Sequence, residues 1–244
     1  MKSQIVLVTG ASRGLGLEFC RQFGQLGKEV ILTARNEERG LEAAKVLTEE
    51  GHNVHFRRLD VSDEADIAQL VAQLSDEFSH LDILVNNAGI NSRSEGTEEA
   101  YLSNVKLSVL DPERVMNMIR INSLAPILMA KHLLPLLKKA RNPKVINVSS
   151  WLGSISQKTN GGNYSYCASK ATLNMMGRAL AFDLAREGVS TVMMNPGWVK
   201  TDMGGNRAKL SPEESVGGMI SVAEKLTTVD AGKFLQWDGT EHPW

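Results

Sequence analysis

The sequence predicts an α/β chain, a doubly wound sheet of seven parallel strands forming a single domain over residues 1–244. Two patterns predict it. Short, mostly apolar β-rich runs alternate with longer amphipathic stretches along the whole chain, as in right-handed βαβ units whose sheet is covered on both faces. A glycine-rich turn follows the first of these runs directly, where such sheets receive phosphate groups. No internal repeat, linker or low-complexity tract divides the chain.

Strands are expected at residues 5–8, 30–33, 54–59, 83–85, 145–148 and 191–194, with a last one at 234–237. Valine and isoleucine recur in them because β-branched side chains suit a pleated, buried surface. Helical periodicity covers 15–26, 38–50, 64–77, 113–139 and 166–187. Pro126 and Pro135 fall inside the fourth of these stretches and predict a kink or break there. Residues 91–110 and 204–212 lack a period and read as irregular loops beyond the C-terminal ends of strands, the ligand-binding edge of a doubly wound sheet.

Composition excludes several functions. With 42% hydrophobic and 23% charged residues the chain is an ordinary globular one. A formal net charge of −1 gives no footprint for nucleic acid or an anionic membrane. Cys20 and Cys167 stand far apart and outside any metal-ligand spacing, so neither a disulfide framework nor a metal site is expected and a reducing cytoplasm fits. No apolar run reaches the roughly 18 residues of a membrane span, and the first residues run into a strand without a signal-peptide core.

The turn Thr9-Gly10-Ala11-Ser12-Arg13-Gly14-Leu15-Gly16 joins the first strand to the first helix. Its glycines let backbone amides approach a pyrophosphate, and the helix N-terminus adds partial positive charge. Taken alone, the same turn also serves as plain chain reversal; a Gly-Lys-Ser/Thr ending is absent, which excludes a Walker motif. The second strand ends Ala34-Arg35, where an NAD site places Asp or Glu against the ribose hydroxyls. Arg13 and Arg35 are each readable as a solvated surface residue. Together at this edge they favour the 2′-phosphate of NADP(H), which guanidinium forks grip by charge-assisted bonds.

Tyr166 and Lys170 are four residues apart on one helix and share a face. A phenol with a pKa near 10 is a poor proton donor at neutral pH unless a nearby ammonium lowers it. Isolated Tyr-x-x-x-Lys pairs are common by chance, so the context decides. The fifth strand ends in Ser149-Ser150, and a strand-end serine there donates to a substrate carbonyl or, alternatively, caps the next turn.

In order, Thr9-Gly10-x-x-x-Gly14-x-Gly16, Asn86-Asn87-Ala88-Gly89, Asn122, Ser150, Tyr166-x-x-x-Lys170 and Pro196-Gly197 make up the motif set of a known family. The chain thereby resembles the short-chain dehydrogenase/reductase family, with its Rossmann-like fold, from residue 5 to the last strand. The resemblance implies Tyr166 as the acid that protonates the carbonyl oxygen, and Lys170 as the group that holds the nicotinamide ribose and lowers the tyrosine pKa. Ser150 would orient the carbonyl, and Asn122 would anchor a water relaying protons to Lys170. Asp60 and Val61 would contact the adenine, Asn87, Ala88 and Gly89 the adenosine ribose, and Pro196, Gly197, Val199 and Thr201 the carboxamide. Ser150 is preferred to Ser149 because Ser150-Trp151-Leu152-Gly153 matches the family's Ser-x-x-Gly register. The Gly161-Gly162 pair, the run from Asn163 to Lys170 and the terminal Asp238-Gly239-x-x-x-Pro243-Trp244 most resemble sniffer-type carbonyl reductases and C-factor proteins.

Two departures concern the substrate. Ser150 and Tyr166 stand farther apart than is usual in the family, with residues 158–163 as an insertion expected over the substrate mouth. The segment after Thr201 is short, so a reduced lid and an open site are expected. Trp151 and Trp198 are expected either to flank the substrate or to pack inside. Tyr164 lacks a lysine four residues on, His132 and the methionines Met175 and Met176 read as structural, and Cys20 and Cys167 read as packing residues. The expectation is an NADP(H)-dependent oxidoreductase acting on a small carbonyl compound, as a homodimer or tetramer. The alternative is a signalling or redox-sensing protein that binds the dinucleotide without turnover.

Overall fold

A computed structural model describes residues 3–244. Strands β1 (Ile5–Val8), β2 (Glu29–Ala34), β3 (Val54–Arg58), β4 (Ile83–Asn86), β5 (Lys144–Val148), β6 (Ser190–Asn195) and β7 (Phe234–Gln236) form one sheet. Every ladder is parallel, in the order β3-β2-β1-β4-β5-β6-β7. The chain winds outward from β1 to β3, then crosses to β4 and winds the other way. This is the expected Rossmann-like sheet, and its reversal opens a crevice at the C-terminal ends of β1 and β4.

Helices α1 (Gly14–Gln25), α2 (Glu37–Glu49), α3 (Glu64–Glu77), α4 (Glu98–Val105), α5 (Pro112–Ile119), α6 (Ala125–Leu137), α7 (Tyr164–Arg186) and α8 (Pro212–Lys225) complete the fold. Successive strand side chains point to opposite faces, so β1 feeds two cores. Val6 and Val8 pack with Phe19 and Phe23 of α1 and Met219 of α8. Ile5 and Leu7 pack with Ile67 and Leu70 of α3 and Leu133 of α6. Both faces of the central strands are thereby closed to water, which is why they carry no polar alternation. Among the described residues, no helix is long and apolar enough to cross a membrane.

Four elements differ from the sequence expectation. The stretch read as irregular at 91–110 contains α4 and a 3₁₀ turn at Leu107–Val109. Thr97 caps α4 by accepting from Ala100 N, with Glu98 and Glu99 in its first turn; polar composition hid this short helix. The long helix of 113–139 is three pieces: α5, a π-helical turn at Arg120–Leu124, and α6. Pro126 lacks the N–H that an α-helix would direct at the Asn122 carbonyl, so the turn widens there. Pro135 lies in the last turn of α6 and does not interrupt it. Helix α8 was not anticipated, although Ser211 and Glu214 form a reciprocal capping box around Pro212 at its start. Finally, α7 begins at Tyr164, which places Tyr166 in its first turn.

Candidate active site

The glycine turn and the turn after β4 are knitted together by Thr9. Its hydroxyl accepts from Asn87 N and Ala88 N, both at 3.0 Å, while Asn87 Nδ2 donates to the carbonyls of Thr9 and Gly10. Gly10, at φ +65°, is required by this approach, because a Cβ would stand 2.7 Å from Ala88 Cα. Gly16 has a packing part: its Cβ would lie 2.5 Å from Asn87 Nδ2, and it does not line the crevice.

From this turn runs a cleft of about 320 Å³. Gly10, Ser12, Arg13, Gly14 and Leu15 line it together with Arg35, Asp60 and Val61, and so do Asn87, Ala88, Gly89, Tyr166, Lys170, Pro196 and Thr201. The N-cap of α1, Arg13, contributes no side-chain cap, so the first-turn amides have no such partner, and a diphosphate is the kind of group that satisfies them. Arg35 follows directly on the buried end of β2 and is exposed. Arg13 is also exposed, and its Nη1 meets Asp202 Oδ2 at 2.6 Å. Burial works to raise the Asp60 carboxyl, but hydrogen bonds from Ser62 and the charges of Arg35 and Arg58 outweigh it and hold the group below its ordinary value.

A second cavity, of about 820 Å³, adjoins the first, and Tyr166, Ser149, Leu15, Pro196 and Thr201 line both. Ser150 lines the second alone and interacts with the Tyr166 phenol, while its Oγ accepts from Leu152 N at 3.2 Å and caps the turn after β5. Ser149 is instead committed to Asn174 Oδ1 at 2.6 Å. Trp151 and Trp198 both line this cavity and are half-exposed, and Gly161, Gly162 and Asn163 of the insertion form part of its wall. No helix covers residues 200–210; a turn held by Trp198 Nε1 donating to Gly204 O borders the mouth.

Beneath Tyr166, Lys170 is buried and donates from Nζ to the Val148 carbonyl at 2.8 Å, with no carboxylate within 4 Å among the described residues. Burial lowers its ammonium to about 8. Tyr166 moves the other way: burial raises the phenol to about 12, opposed by its contact with Ser150. The expectation that Lys170 lowers the phenol is therefore not met in this arrangement; Lys170 points to Val148 and lies 5.9 Å from the ring centre. Asn122 is held by its side chain. Its side chain clamps Ile90, accepting from Ile90 N and donating to Ile90 O at 2.8 Å each, and it reaches Ser169 Oγ.

A crevice at the sheet reversal, a glycine turn with free first-turn amides, and a serine, tyrosine and lysine at the joint of two cavities form one arrangement. The sequence profile of the short chain dehydrogenases matches residues 4–211. The chain belongs to this family. A C-signal protein of Myxococcus xanthus is 38% identical over 164 residues, which are 67% of this chain and 93% of that protein. The structure of an NADPH-bound carbonyl reductase from chicken fatty liver is similar over the full length of both chains, with 33% identity and a TM-score of 0.88. The carbonyl reductase Sniffer of D. melanogaster is similar over the same extent, with 32% identity and a TM-score of 0.87.

For a short chain dehydrogenase, the sequence reading found most of the first cavity and less of the second. Gly197 and Val199 line the second cavity, between Pro196 and Thr201, which line both. Gly197 is needed where it stands: at φ +79° its Cβ would meet Leu210 Cδ1 at 2.6 Å. Asp202 and Met203 of the cleft, and Arg93 and Tyr101 of the second cavity, were not singled out. Arg93 and Tyr101 sit in the stretch read as loop, where no local pattern marks them as wall residues.

Proposed function

We propose that this oxidoreductase is an NADPH-dependent carbonyl reductase. The observation that carries the reading is Tyr166, shared by the cleft and the second cavity and in reach of Ser150. NADPH supplies a hydride when bound, and the chain supplies position, a proton and electrostatics. The amides of the α1 N-terminus would hold the diphosphate, and Arg13 and Arg35 the 2′-phosphate. Absence of a carboxylate directly after β2 favours NADP(H) over NAD(H), and the NADPH-bound chicken carbonyl reductase agrees in kind.

A ketone or aldehyde would enter the second cavity with its oxygen between the Ser150 and Tyr166 hydroxyls. Ser150 donates to that oxygen as negative charge develops on it. Tyr166 transfers its phenolic proton to the same oxygen and becomes a phenolate, which the Lys170 ammonium would stabilise by turning toward it from the Val148 carbonyl. The Asn122 carbonyl, deprived by Pro126 of an α-helical donor, is suited to hold a water for the return of the proton. A protein that only binds the dinucleotide has no use for an acid paired with a carbonyl-orienting serine.

The test is thermal unfolding with NADPH or NADH, followed by ketone-dependent loss of NADPH absorbance, on the native chain and Tyr166→Phe. Stabilisation by NADPH above NADH with turnover lost only in the variant supports the reading. Stabilisation of both proteins without turnover in either shifts it to a dinucleotide-binding sensor.

A further inference from the structure

The second cavity is lined by a single ionisable cation among otherwise neutral groups. Its walls include Trp151, Leu152, Trp198, Met203 and Val105, and no aspartate, glutamate, lysine or histidine. The exception is Arg93. Its position is built rather than loose. Asn91 Oδ1 accepts from Arg93 N at 3.0 Å, Ser94 Oγ accepts from Asn91 N, and Gly96 N closes onto Arg93 O. The guanidinium lies 4.6 Å from the ring centre of Tyr101 on α4, which also lines the cavity.

Stacking on an aromatic face occupies the face of a guanidinium and leaves its N–H edge free. That edge has no carboxylate within 4 Å among the described residues. The nearest acid in sequence, Glu95, is itself engaged by Arg114. An arginine stacked, exposed at a cavity wall and without an anion is complementary to an anion brought by the ligand. A neutral apolar carbonyl compound would gain nothing from it.

We propose that the substrate of this site is a carbonyl compound that also carries a carboxylate, with the carboxylate held by the Arg93 edge and the carbonyl at Ser150 and Tyr166. This rests on the reductase reading above for the carbonyl end alone. The carboxylate end stands on Arg93 and Tyr101 and is testable without turnover. Apolar surface between the two ends is supplied by the tryptophans, which also report on occupancy by their fluorescence.

The test uses 4-acetylbenzoate and its neutral methyl ester. Binding is read from tryptophan quenching in the NADP⁺-loaded protein, which has no hydride to give. Initial rates of NADPH oxidation are measured separately. The native protein is expected to bind the acid about tenfold more tightly than the ester, in keeping with a charge-assisted bidentate contact. Added salt should shrink that advantage. Arg93→Ala should remove the preference by raising KM for the acid with little change in kcat, and Arg93→Lys should restore part of it, a point charge without the fork. Equal binding of acid and ester by the native protein, or a preference that survives in Arg93→Ala, overturns the proposal. Arg93-dependent binding of the acid with no NADPH oxidation for either ketone would uphold the carboxylate site and remove the reductase reading.

Discussion

Replacing Lys170 by methionine is expected to give a protein that is more stable and catalytically dead. The lysine is 5% exposed, its Nζ has one bond, to the Val148 carbonyl, and no carboxylate balances it. Burial lowers its ammonium from 10.5 to about 8, a change equivalent to roughly 3 kcal/mol against the charged form. Methionine fills a similar unbranched volume without charge and forfeits the bond to Val148, which offsets about 1 kcal/mol. The net gain near pH 7 is about 2 kcal/mol, or a rise in Tm of about 4–8 °C for a chain of this size. The sign of its pH dependence follows from linkage. Below pH 8 the lysine is charged in both folded and unfolded chains, and the native protein bears the full cost. Between 8 and 10.5 the unfolded chain binds the extra proton, so the native protein gains stability as pH rises and the gap to the variant closes. Melting curves of both proteins without cofactor, from pH 6.5 to 10, measure this directly. A variant less stable than the native chain at pH 7, or a gap independent of pH, would refute the account of Lys170 as an uncompensated buried charge.

Asn122→Ala strips the partners from both backbone polar groups of Ile90 and is expected to cost about 2–4 kcal/mol, read as a lower urea midpoint at unchanged m. Arg35→Ala should weaken NADPH binding by about tenfold or more and leave NADH nearly untouched, because only the former offers a 2′-phosphate; titration calorimetry with each nucleotide separates the two. Asp202→Asn frees Arg13 from its exposed ion pair and should tighten NADPH binding a few-fold at low salt, the gain disappearing at high ionic strength. Ketone reduction at saturating NADPH should fall as pH rises through about 8, where Lys170 loses its charge, while Tyr166 keeps its proton toward 12; a rate flat to pH 10 would separate Lys170 from the proton transfer.

The central sheet was legible because both of its faces are buried. Val6 and Val8 face one core while Ile5 and Leu7 face the other, so no water-facing position interrupts the apolar run. The cleft was legible because its turn is glycine-dependent: Gly10 is forced by Ala88, and a forced glycine keeps its place in a motif. Elements whose cause lies in tertiary contacts were harder to see. Helix α4 carries an apolar face too weak to stand out, and its start is marked only by the Thr97 cap. The π-helical turn depends on where Pro126 falls relative to Asn122, which a helical period cannot register. Asn122 itself was found as a motif residue, yet its clamp on Ile90 spans 32 positions in sequence. The substrate wall was least legible. Arg93, in the turn before α4, and Tyr101, on α4 itself, meet the insertion and Trp198 only in space, and nothing local marks the first two as wall residues.

The opposite shifts of Tyr166 and Lys170 bear on the direction of the reaction. Burial acts on both and disfavours whichever form is charged, so the phenol is raised to about 12 and the ammonium lowered to about 8. Near pH 7 the acid is still protonated and the cation still charged. That is the state needed to give a proton to a carbonyl oxygen and to stabilise the phenolate left behind. Oxidation of an alcohol needs the reverse starting point, a phenolate ready to accept, and a pKa of about 12 makes this scarce at neutral pH. On the proposed reading the free protein therefore starts in the protonation state that reduction needs. Alcohol oxidation with NADP⁺ is expected to be slow at pH 7 and to climb steadily toward pH 10, whereas ketone reduction declines over the same interval. Parallel pH profiles in the two directions would mean that cofactor binding, and not the burial of these two groups, sets the protonation state of the site.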